Sequence, residues 1–152
     1  MVTPITVKKK IRVFNKTINV SGDKSLSIRW ALLASQAEGK SRAYNLLRSL
    51  DVISTLNCLK RLGVKVRLKK KYCEIEGRGL NGFKVKKNIT LNTGNSGTLG
   101  RLILGLLVHY KTKVKIIGDK SLSKRDFSRV IIPLKKFGAK FKYNSNYKLP
   151  IE

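Results

Sequence analysis

The sequence has few acidic, cysteine, histidine or aromatic residues. It holds 8 Asp and Glu among 152 residues, 2 cysteines, a single histidine, and aromatics at 7%. No pair of carboxylates stands out for general acid–base chemistry. Cys58 and Cys73 lack metal-ligand spacing and give no disulfide framework, which favours a reducing, cytoplasmic setting. His109 has no Cys or carboxylate partner at ligand spacing, so neither a metal site nor a catalytic triad is predicted.

Long apolar runs are also missing, because Arg, Gly or Ser interrupts each apolar stretch well short of membrane-spanning length. Met1 is not followed by a basic region and an apolar run, so no signal peptide and no membrane partner are predicted. With 152 residues, 41% of them apolar, the chain can bury one core but cannot form two large domains.

Positive charge is present in excess. Against 8 acidic residues stand 34 Lys and Arg, a formal net charge of +26. Such an excess indicates an anionic partner, either nucleic acid or small phosphorylated and carboxylated molecules. Lysines scattered through turns and strand edges equally fit a solvated surface. Aromatics are sparse and no recognised binding motif occurs, so a basic nucleic-acid-binding module is only the alternative function.

The hexamer GDKSLS occurs twice, at residues 22–27 and 118–123, but the deeper repeat has another offset. Displaced by 72 residues, SGDKSLSIRWALLA falls on TGNSGTLGRLILGL, which places Gly22 on Gly94 and Arg29 on Arg101. LKRLGVKVRL and LKKFGAKFKY also match, and each predicts a helix end, a C-cap glycine and a strand. The chain is therefore predicted to be α/β, with two copies of a βαβαββ unit in which the hexamers occupy non-equivalent places.

The first unit is predicted at residues 16–82 and the second at 83–152, with a Gly-rich boundary at 77–83. In the first unit, strands are predicted at 16–20, 41–46, 65–70 and 72–76, and helices at 26–38 and 52–62. In the second unit, strands are predicted at 89–92, 113–117, 140–143 and 149–151, and helices at 98–109 and 127–137. The first helix of each unit is apolar on nearly every side, so burial all round is predicted.

Three predicted helix starts, GDKSLSIR, GNSGTLGR and GDKSLSKR, carry residues suited to binding an anion. The free backbone N–H groups and the positive dipole end of a helix attract negative groups. Lys24 and Arg29 flank Ser25 in the first start. Gly94 and Gly97 allow a ligand to approach the backbone closely in the second.

The third start is the second hexamer, which is predicted to open the second helix of the second unit. Lys124 and Arg125 would lie in its first turn, where cations are unfavourable for the helix dipole, so a ligand is indicated. A plain N-cap by Ser, Asp or Asn is the simpler explanation of any one start alone. Three starts together, two of them at repeat-equivalent positions, favour anion binding. Asp51 heads another helix and is most simply its cap.

Three longer stretches carry a family resemblance: GDKSLSIRWALLASQAEGKSRAYNLLRSLDVISTLNCLKRLGV, NTGNSGTLGRLILGLL and GDKSLSKRDFSRVIIPLKKFGAK. In this order and spacing they resemble the 5-enolpyruvylshikimate-3-phosphate synthase (3-phosphoshikimate 1-carboxyvinyltransferase) family over essentially the whole chain. The resemblance implies an inside-out α/β barrel of two domains, each of three βαβαββ units around buried helices, with ligands in the cleft between domains. This chain would be an incomplete form with two of six units. Residues 1–15 would form a strand segment that packs with the other, absent domain.

The implied reaction belongs to the shikimate pathway of aromatic amino-acid synthesis. It transfers the enolpyruvyl group of phosphoenolpyruvate to the 5-hydroxyl of shikimate 3-phosphate and releases phosphate, by addition and elimination, without a metal or cofactor. Carried over by position, Lys24 would contact both substrates, with Ser25 and Arg29 on the shikimate carboxylate side. The acid–base Asp and Lys of the family would lie outside this chain, so the chain alone is expected to be an inactive part of a monomeric enzyme.

The same resemblance places Asn95, the N–H of Gly97 and Arg125 at the phosphate of phosphoenolpyruvate. Several positions depart from the family's pattern and indicate a divergent member. They are Ile28 in place of His or Asn, Leu50 in place of an acidic residue, Gly100 in place of a larger residue, and Asp126 in place of Pro.

Overall fold

The computed structural model describes residues 17–152 together with positions 6, 8, 13 and 15. The first half of this part holds α1 (Lys24–Gln36), β1 (Lys40–Tyr44), α2 (Leu50–Arg61), β2 (Lys65–Leu68) and β3 (Tyr72–Glu76). The second half holds β4 (Ile89–Asn92), α3 (Gly97–Leu107), β5 (Val114–Ile117), α4 (Ser128–Lys136), β6 (Tyr143–Asn144) and β7 (Lys148–Ile151). Most predicted ends are displaced by one or two residues, whereas the strand predicted at 140–143 overlaps β6 at residue 143 alone. No helix among these residues is both long and apolar enough to cross a membrane.

The two sheets share one plan, which agrees with the predicted repeat. In the first sheet, β3 lies between β1 and β2 and is antiparallel to both. In the second sheet, β7 lies between β5 and β6 in the same way, and β4 adds a parallel strand beside β5. Gly63 and Gly138 follow α2 and α4 with φ of +84° and +89°. These left-handed glycines end both helices, as the matching LGV and FGA segments predict.

The strand predicted at 16–20 is wrong in its described part, because residues 17–20 form no strand. By the repeat they correspond to β4, which pairs with β5 in the second unit. Asn45 follows β1 with φ of +58°, so the backbone leaves extended geometry there. Its side-chain amide donates to the Val20 carbonyl oxygen at 3.0 Å. At the corresponding place in the second unit, β4 and β5 pair through backbone hydrogen bonds. The strand segment predicted at 1–15 lies outside the described residues, apart from isolated positions.

One core joins both units, because α1 contacts α2, α3 and the first sheet. Apolar side chains from every layer are fully buried in it. They include Ile28, Leu59 and Ile75 in the first unit, and Leu99, Ile103, Ile116 and Phe127 in the second.

The prediction that α1 and α3 are buried all round is wrong for this chain. Each helix buries the side that meets the core and exposes apolar residues elsewhere. Leu26 and Leu33 of α1 are 68% and 71% exposed, and Leu102 of α3 is 40% exposed. No element of the described part of the chain covers these three residues, which we call the uncovered helix sides. Apolar surface of this kind generally meets another element.

The outer face of the first sheet carries an ion-pair ladder. Glu74 in the central strand lies between two arginines, 2.7 Å from Arg42 Nε and 3.2 Å from Arg67 Nη1, and its side chain is 5% exposed. The hydrogen bond and the charge of Arg42 lower the pKa of Glu74 below its ordinary value, although burial opposes the shift.

The ladder predicts a pH-dependent stability. A carboxyl group whose pKa is lower in the folded than in the unfolded protein stabilises the fold fully at pH values above its ordinary pKa of 4.5. This contribution is lost as pH falls through the folded pKa. Glu74→Gln is therefore expected to lower the free energy of unfolding at pH 7 and to flatten its decline below pH 4.5. Urea unfolding between pH 7 and pH 3 measures both effects. The control is Glu38→Gln, at an exposed position outside the ladder, and equal curves for the two variants would contradict the prediction.

Candidate functional site

The two GDKSLS copies fold into the same first turn. Asp23 Oδ1 accepts a hydrogen bond from Leu26 N at 2.7 Å, and Asp119 Oδ1 accepts one from Leu122 N, also at 2.7 Å. The first copy continues into the 13 residues of α1, whereas the second ends after a 3-10 turn of three residues, Leu122–Lys124. The hexamer thus determines a local cap, and the residues that follow determine the length of the helix.

The prediction that the second hexamer opens the second helix of its unit is wrong, because α4 begins at Ser128. Arg125 has extended backbone angles and interrupts the helix. Asp126 then restarts it by accepting hydrogen bonds from Ser128 N (2.7 Å) and Ser128 Oγ (2.6 Å). These two bonds lower the pKa of Asp126. Asp126 therefore stands in place of the expected Pro with side-chain hydrogen bonds to the first residue of α4, whose N-cap residue is Phe127, and Arg125 lies in the linker rather than in a helix.

The first group of candidate residues, which we call the α1 cluster, consists of Lys24, Ser25 and Arg29. Lys24 and Ser25 lie in the first turn of α1, and Arg29 follows four residues after Ser25, on the same side of the helix. Lys24 is half exposed, and its Nζ lies 3.1 Å from Asp51 Oδ2. The α1 cluster therefore presents an amine, a hydroxyl and a guanidinium at one helix end.

The second group, which we call the α3 cluster, consists of Asn95, Gly97, Arg101 and Arg125. Arg125 Nη2 donates to Asn95 Oδ1 at 3.0 Å. A Cβ atom on Gly97 would lie 2.8 Å from Arg101 Nη1 and 3.2 Å from Arg125 Nη1. Both guanidinium groups therefore meet at the amino end of α3, where the helix dipole is positive. Within the described residues, neither Arg101 nor Arg125 forms a salt bridge.

Arg101 is the member of the α3 cluster that sequence reasoning missed. Its Nη2 donates to the Asp126 carbonyl oxygen at 2.8 Å and its Nη1 to that of Gly97 at 3.3 Å. Its guanidinium lies over the Phe127 ring, 5.0 Å from the centroid. The repeat contained the signal, since the offset of 72 places Arg29 on Arg101. Arg101 connects α3 to the linker that carries Arg125.

Helix α2 contacts Lys24 of the α1 cluster and the loop that precedes the α3 cluster. Asp51 forms the ion pair with Lys24 of the α1 cluster. One turn later, Ser54 Oγ lies 2.9 Å from where a Cβ on Gly94 would be, in the loop that leads to Asn95. The prediction that Asp51 caps α2 is wrong, because the N-cap residue is Ser49, which makes no side-chain cap hydrogen bond. Asp51 lies in the first turn of α2 and pairs with Lys24 instead.

The other departures from the family's pattern have packing explanations or lie in solvent. Ile28 is fully buried in the core, and Leu50 is 84% exposed. A Cβ on Gly100 would lie 3.2 Å from the edge of the Phe127 ring, so a larger residue would require that ring to move. None of these three residues contributes a side chain to either cluster.

The remaining polar and cavity-lining groups lie apart from the clusters. Cys58 and Cys73 are buried, and burial raises the pKa of the Cys58 thiol to about 12. His109 is exposed beside Tyr110 at the far end of α3. A cavity of about 630 Å³ also lies at that end, and its lining includes Leu107 and Phe141 but no candidate site residue.

The fold and the two clusters define the class: an α/β protein of two related units, αβαββ and βαβαββ in the described residues, with cationic groups at helix starts. The family model for EPSP synthase (3-phosphoshikimate 1-carboxyvinyltransferase) matches residues 8–152. The chain belongs to this family, and its fold is a partial form of the family's inside-out α/β architecture.

Individual relatives agree with this assignment. The 3-phosphoshikimate 1-carboxyvinyltransferases of Streptococcus pyogenes serotype M2 (strain MGAS10270) and serotype M1 are each 43% identical over 134 residues, or 88% of this chain. The EPSP synthase from Acinetobacter baumannii superposes on 88% of the chain with a TM-score of 0.82 at 34% identity. The chain spans 31% of the length of each of these relatives.

The α3 cluster predicts distinct effects for two glycines of one helix. In Gly97→Ala the new methyl group should displace the guanidinium groups of Arg101 and Arg125, whose flexible ends lie within 3.2 Å of it, and should weaken the bond to Asn95. Gly105→Ala adds a methyl group in open space and should stabilise α3 by up to about 1 kcal/mol. Nitrogen-15 NMR of the arginine side chains and thermal unfolding measure these effects. Unchanged arginine signals in Gly97→Ala would contradict the proposed crowding.

Proposed function

We propose that this chain forms the substrate-anion-binding part of an enzyme that transfers the enolpyruvyl group of phosphoenolpyruvate to the 5-hydroxyl of shikimate 3-phosphate. The observation that carries the proposal is the meeting of Arg101 and Arg125 at the amino end of α3, around Gly97. Two guanidinium groups and a positive helix end repel one another unless an anion lies between them. A phosphate group has the charge and the oxygen acceptors that such donors favour.

The α3 cluster is proposed to bind the phosphate of phosphoenolpyruvate. Gly97 leaves its backbone N–H open to a phosphate oxygen, and Arg125, oriented by Asn95, donates to a second oxygen. During elimination, the C–O bond to phosphate breaks and the leaving group gains negative charge. Donors fixed at that position bind the leaving phosphate more tightly than the intact ester, which lowers the barrier.

The α1 cluster is proposed to bind shikimate 3-phosphate. Ser25 and Arg29 provide a hydroxyl and a guanidinium on one side of α1, which suits the shikimate carboxylate. Lys24 is proposed to contact both substrates and to bring the 5-hydroxyl towards C2 of phosphoenolpyruvate. Binding and orientation of this kind reduce the entropy cost of joining two anionic molecules.

The groups that move protons are proposed to belong to the other two-thirds of the enzyme, since the chain spans 31% of its relatives. Residues 16–82 and 83–152 would be two of its repeated units, and residues 1–15 would pack with the second domain. A further unit would cover the uncovered helix sides. The complete enzyme is proposed to be a cytoplasmic monomer.

Substitutions at the two clusters test the proposed function. In a full-length enzyme carrying this segment, Lys24→Ala and Arg125→Ala should each lower kcat/KM by about a hundredfold, because each removes a cation that contacts substrate. Lys86→Ala is the matched control, since it removes an exposed lysine before β4. Steady-state assays of phosphate release measure the effect. Full activity of the Lys24→Ala and Arg125→Ala enzymes would exclude the assignment of these residues to substrate binding. Turnover by the 152-residue chain alone would exclude the proposal that the proton-moving groups lie in the rest of the enzyme.

Substitutions at the uncovered helix sides test the proposed covering unit. Leu33→Gln and Leu102→Gln should hardly change the unfolding free energy of the 152-residue chain, where both side chains are at least 40% exposed. In the complete enzyme, where these side chains would be buried, each change should cost about 1 to 3 kcal/mol. Leu80→Gln is the control, since Leu80 is 81% exposed in a loop between the units. Equal costs in the short and complete proteins would contradict the proposal. Urea unfolding of both proteins gives the comparison.

A further inference from the structure

We propose that Asp51 is a positioning residue that acts through Lys24, and that α2 sets the distance between the α1 cluster and the loop before α3. The proposal rests on the proposed function, since it assigns Lys24 a substrate. It concerns a residue that neither cluster includes and that the sequence predicts to be only a helix cap.

The Asp51 carboxylate forms an ion pair with Lys24 and does not cap its own helix. Its Oδ2 lies 3.1 Å from Lys24 Nζ, and its side chain is 18% exposed against 52% for that of Lys24. A carboxylate in the first turn of α2 is also favoured by the helix dipole, so its position is stable without the lysine. The more buried partner of this pair is therefore the acid, and the lysine is the group that it holds.

Lys24 differs from Arg101 and Arg125 in the kind of group that holds its side chain. Arg101 is held by two backbone carbonyl oxygens, and Arg125 by Asn95. Within the described residues, Lys24 is the one candidate cation of the two clusters with a carboxylate within 4.0 Å. A lysine side chain has a flexible four-carbon stem, so its ammonium needs such a partner to stay in one place.

One side of α2 contacts both the α1 cluster and the loop before α3. Asp51, Ser54 and Cys58 follow one another at spacings of three and four residues, which places them on the same side of the helix. Asp51 contacts Lys24, Ser54 lies against Gly94, and Cys58 Sγ donates to the carbonyl oxygen of Asn92 at 3.3 Å.

The end of β4 is also tied to the loop that carries the α3 cluster. Asn92 Oδ1 accepts a hydrogen bond from Gly94 N at 2.9 Å, so the loop is fixed at the point where Ser54 and Cys58 approach it. A rigid helix with contacts at three successive points fixes the distance between the groups that it touches. Asp51 is the contact through which this spacing reaches Lys24.

Removal of the carboxylate should therefore change catalysis more than folding. A half-exposed ion pair contributes little to stability. Loss of the pair frees the ammonium from its position, and small displacements of a substrate-binding group reduce rates strongly. The expected loss is in kcat/KM, with the melting temperature unchanged.

A double-mutant cycle in a full-length enzyme carrying this segment tests the proposal. Asp51→Asn should lower kcat/KM about tenfold, and Asp51→Glu, which keeps a carboxylate in reach, should restore most of the loss. In a Lys24→Ala background, Asp51→Asn should change kcat/KM by less than about twofold, because the group that it positions is gone. The matched control is Glu76→Gln, which removes a carboxylate 2.9 Å from Lys65 on the outer face of the first sheet. It should leave kcat/KM within about twofold of wild type.

The outcomes separate this inference from the proposed function. If Lys24→Ala lowers kcat/KM but Asp51→Asn does not, the positioning role is wrong and the proposed function stands. If Asp51→Asn has the same effect with and without Lys24, Asp51 acts independently and the inference is again wrong. If Lys24→Ala keeps full activity, the assignment of Lys24 to substrate and the role of Asp51 both fail. If Asp51→Asn lowers the melting temperature, the comparison uses Asp51→Glu, which keeps the carboxylate: the inference requires it to restore most of kcat/KM.

Discussion

Two guanidinium groups and the positive end of a helix lie together around Gly97. Arg101 and Arg125 both come within about 3 Å of the space that a side chain there would fill. Like charges at such distances repel, and no carboxylate among the described residues pairs with either arginine. The arrangement persists because hydrogen bonds to Asn95 and to backbone carbonyl oxygens fix both side chains in advance. An anion bound at this position would relieve the electrostatic repulsion that remains between the two guanidinium groups and the helix end.

The repeated unit explains how residues far apart in sequence reach this position. Each unit supplies one helix start, and α2 contacts Lys24 in the first start and Gly94 in the loop before the second. The first unit also departs from the repeat. Asn45 turns the chain out of β1, and the described residues 17–20, which correspond to β4, form no strand. The exposed apolar residues of α1 and α3 indicate that packing is unfinished within this chain.

Local signals were sufficient to predict much of this structure. The glycines after α2 and α4, the alternation in β2, and the Asp–Leu hydrogen bond in both hexamers depend on a few neighbouring residues. Long-range pairing was not predictable in this way. Asp51 was expected to cap its own helix, yet Lys24 of another helix is its partner. The second hexamer was expected to open α4, and this was wrong because Arg125 is extended and Asp126 bonds to Ser128 at the start of α4. Sequence periodicity does not register such a side-chain hydrogen bond. Arg101 could have been found, since the repeat places it on Arg29.

The central claim is that the amino end of α3 is a phosphate site rather than part of a generally basic surface. The most direct test is a titration of phosphoenolpyruvate into the 152-residue chain at physiological salt, observed by backbone and arginine side-chain NMR. The account predicts that the amides of residues 95–99 and the guanidinium signals of Arg101 and Arg125 shift together and saturate. Shifts that spread over surface lysines such as those at 69–71, and that disappear as salt is raised, would contradict it.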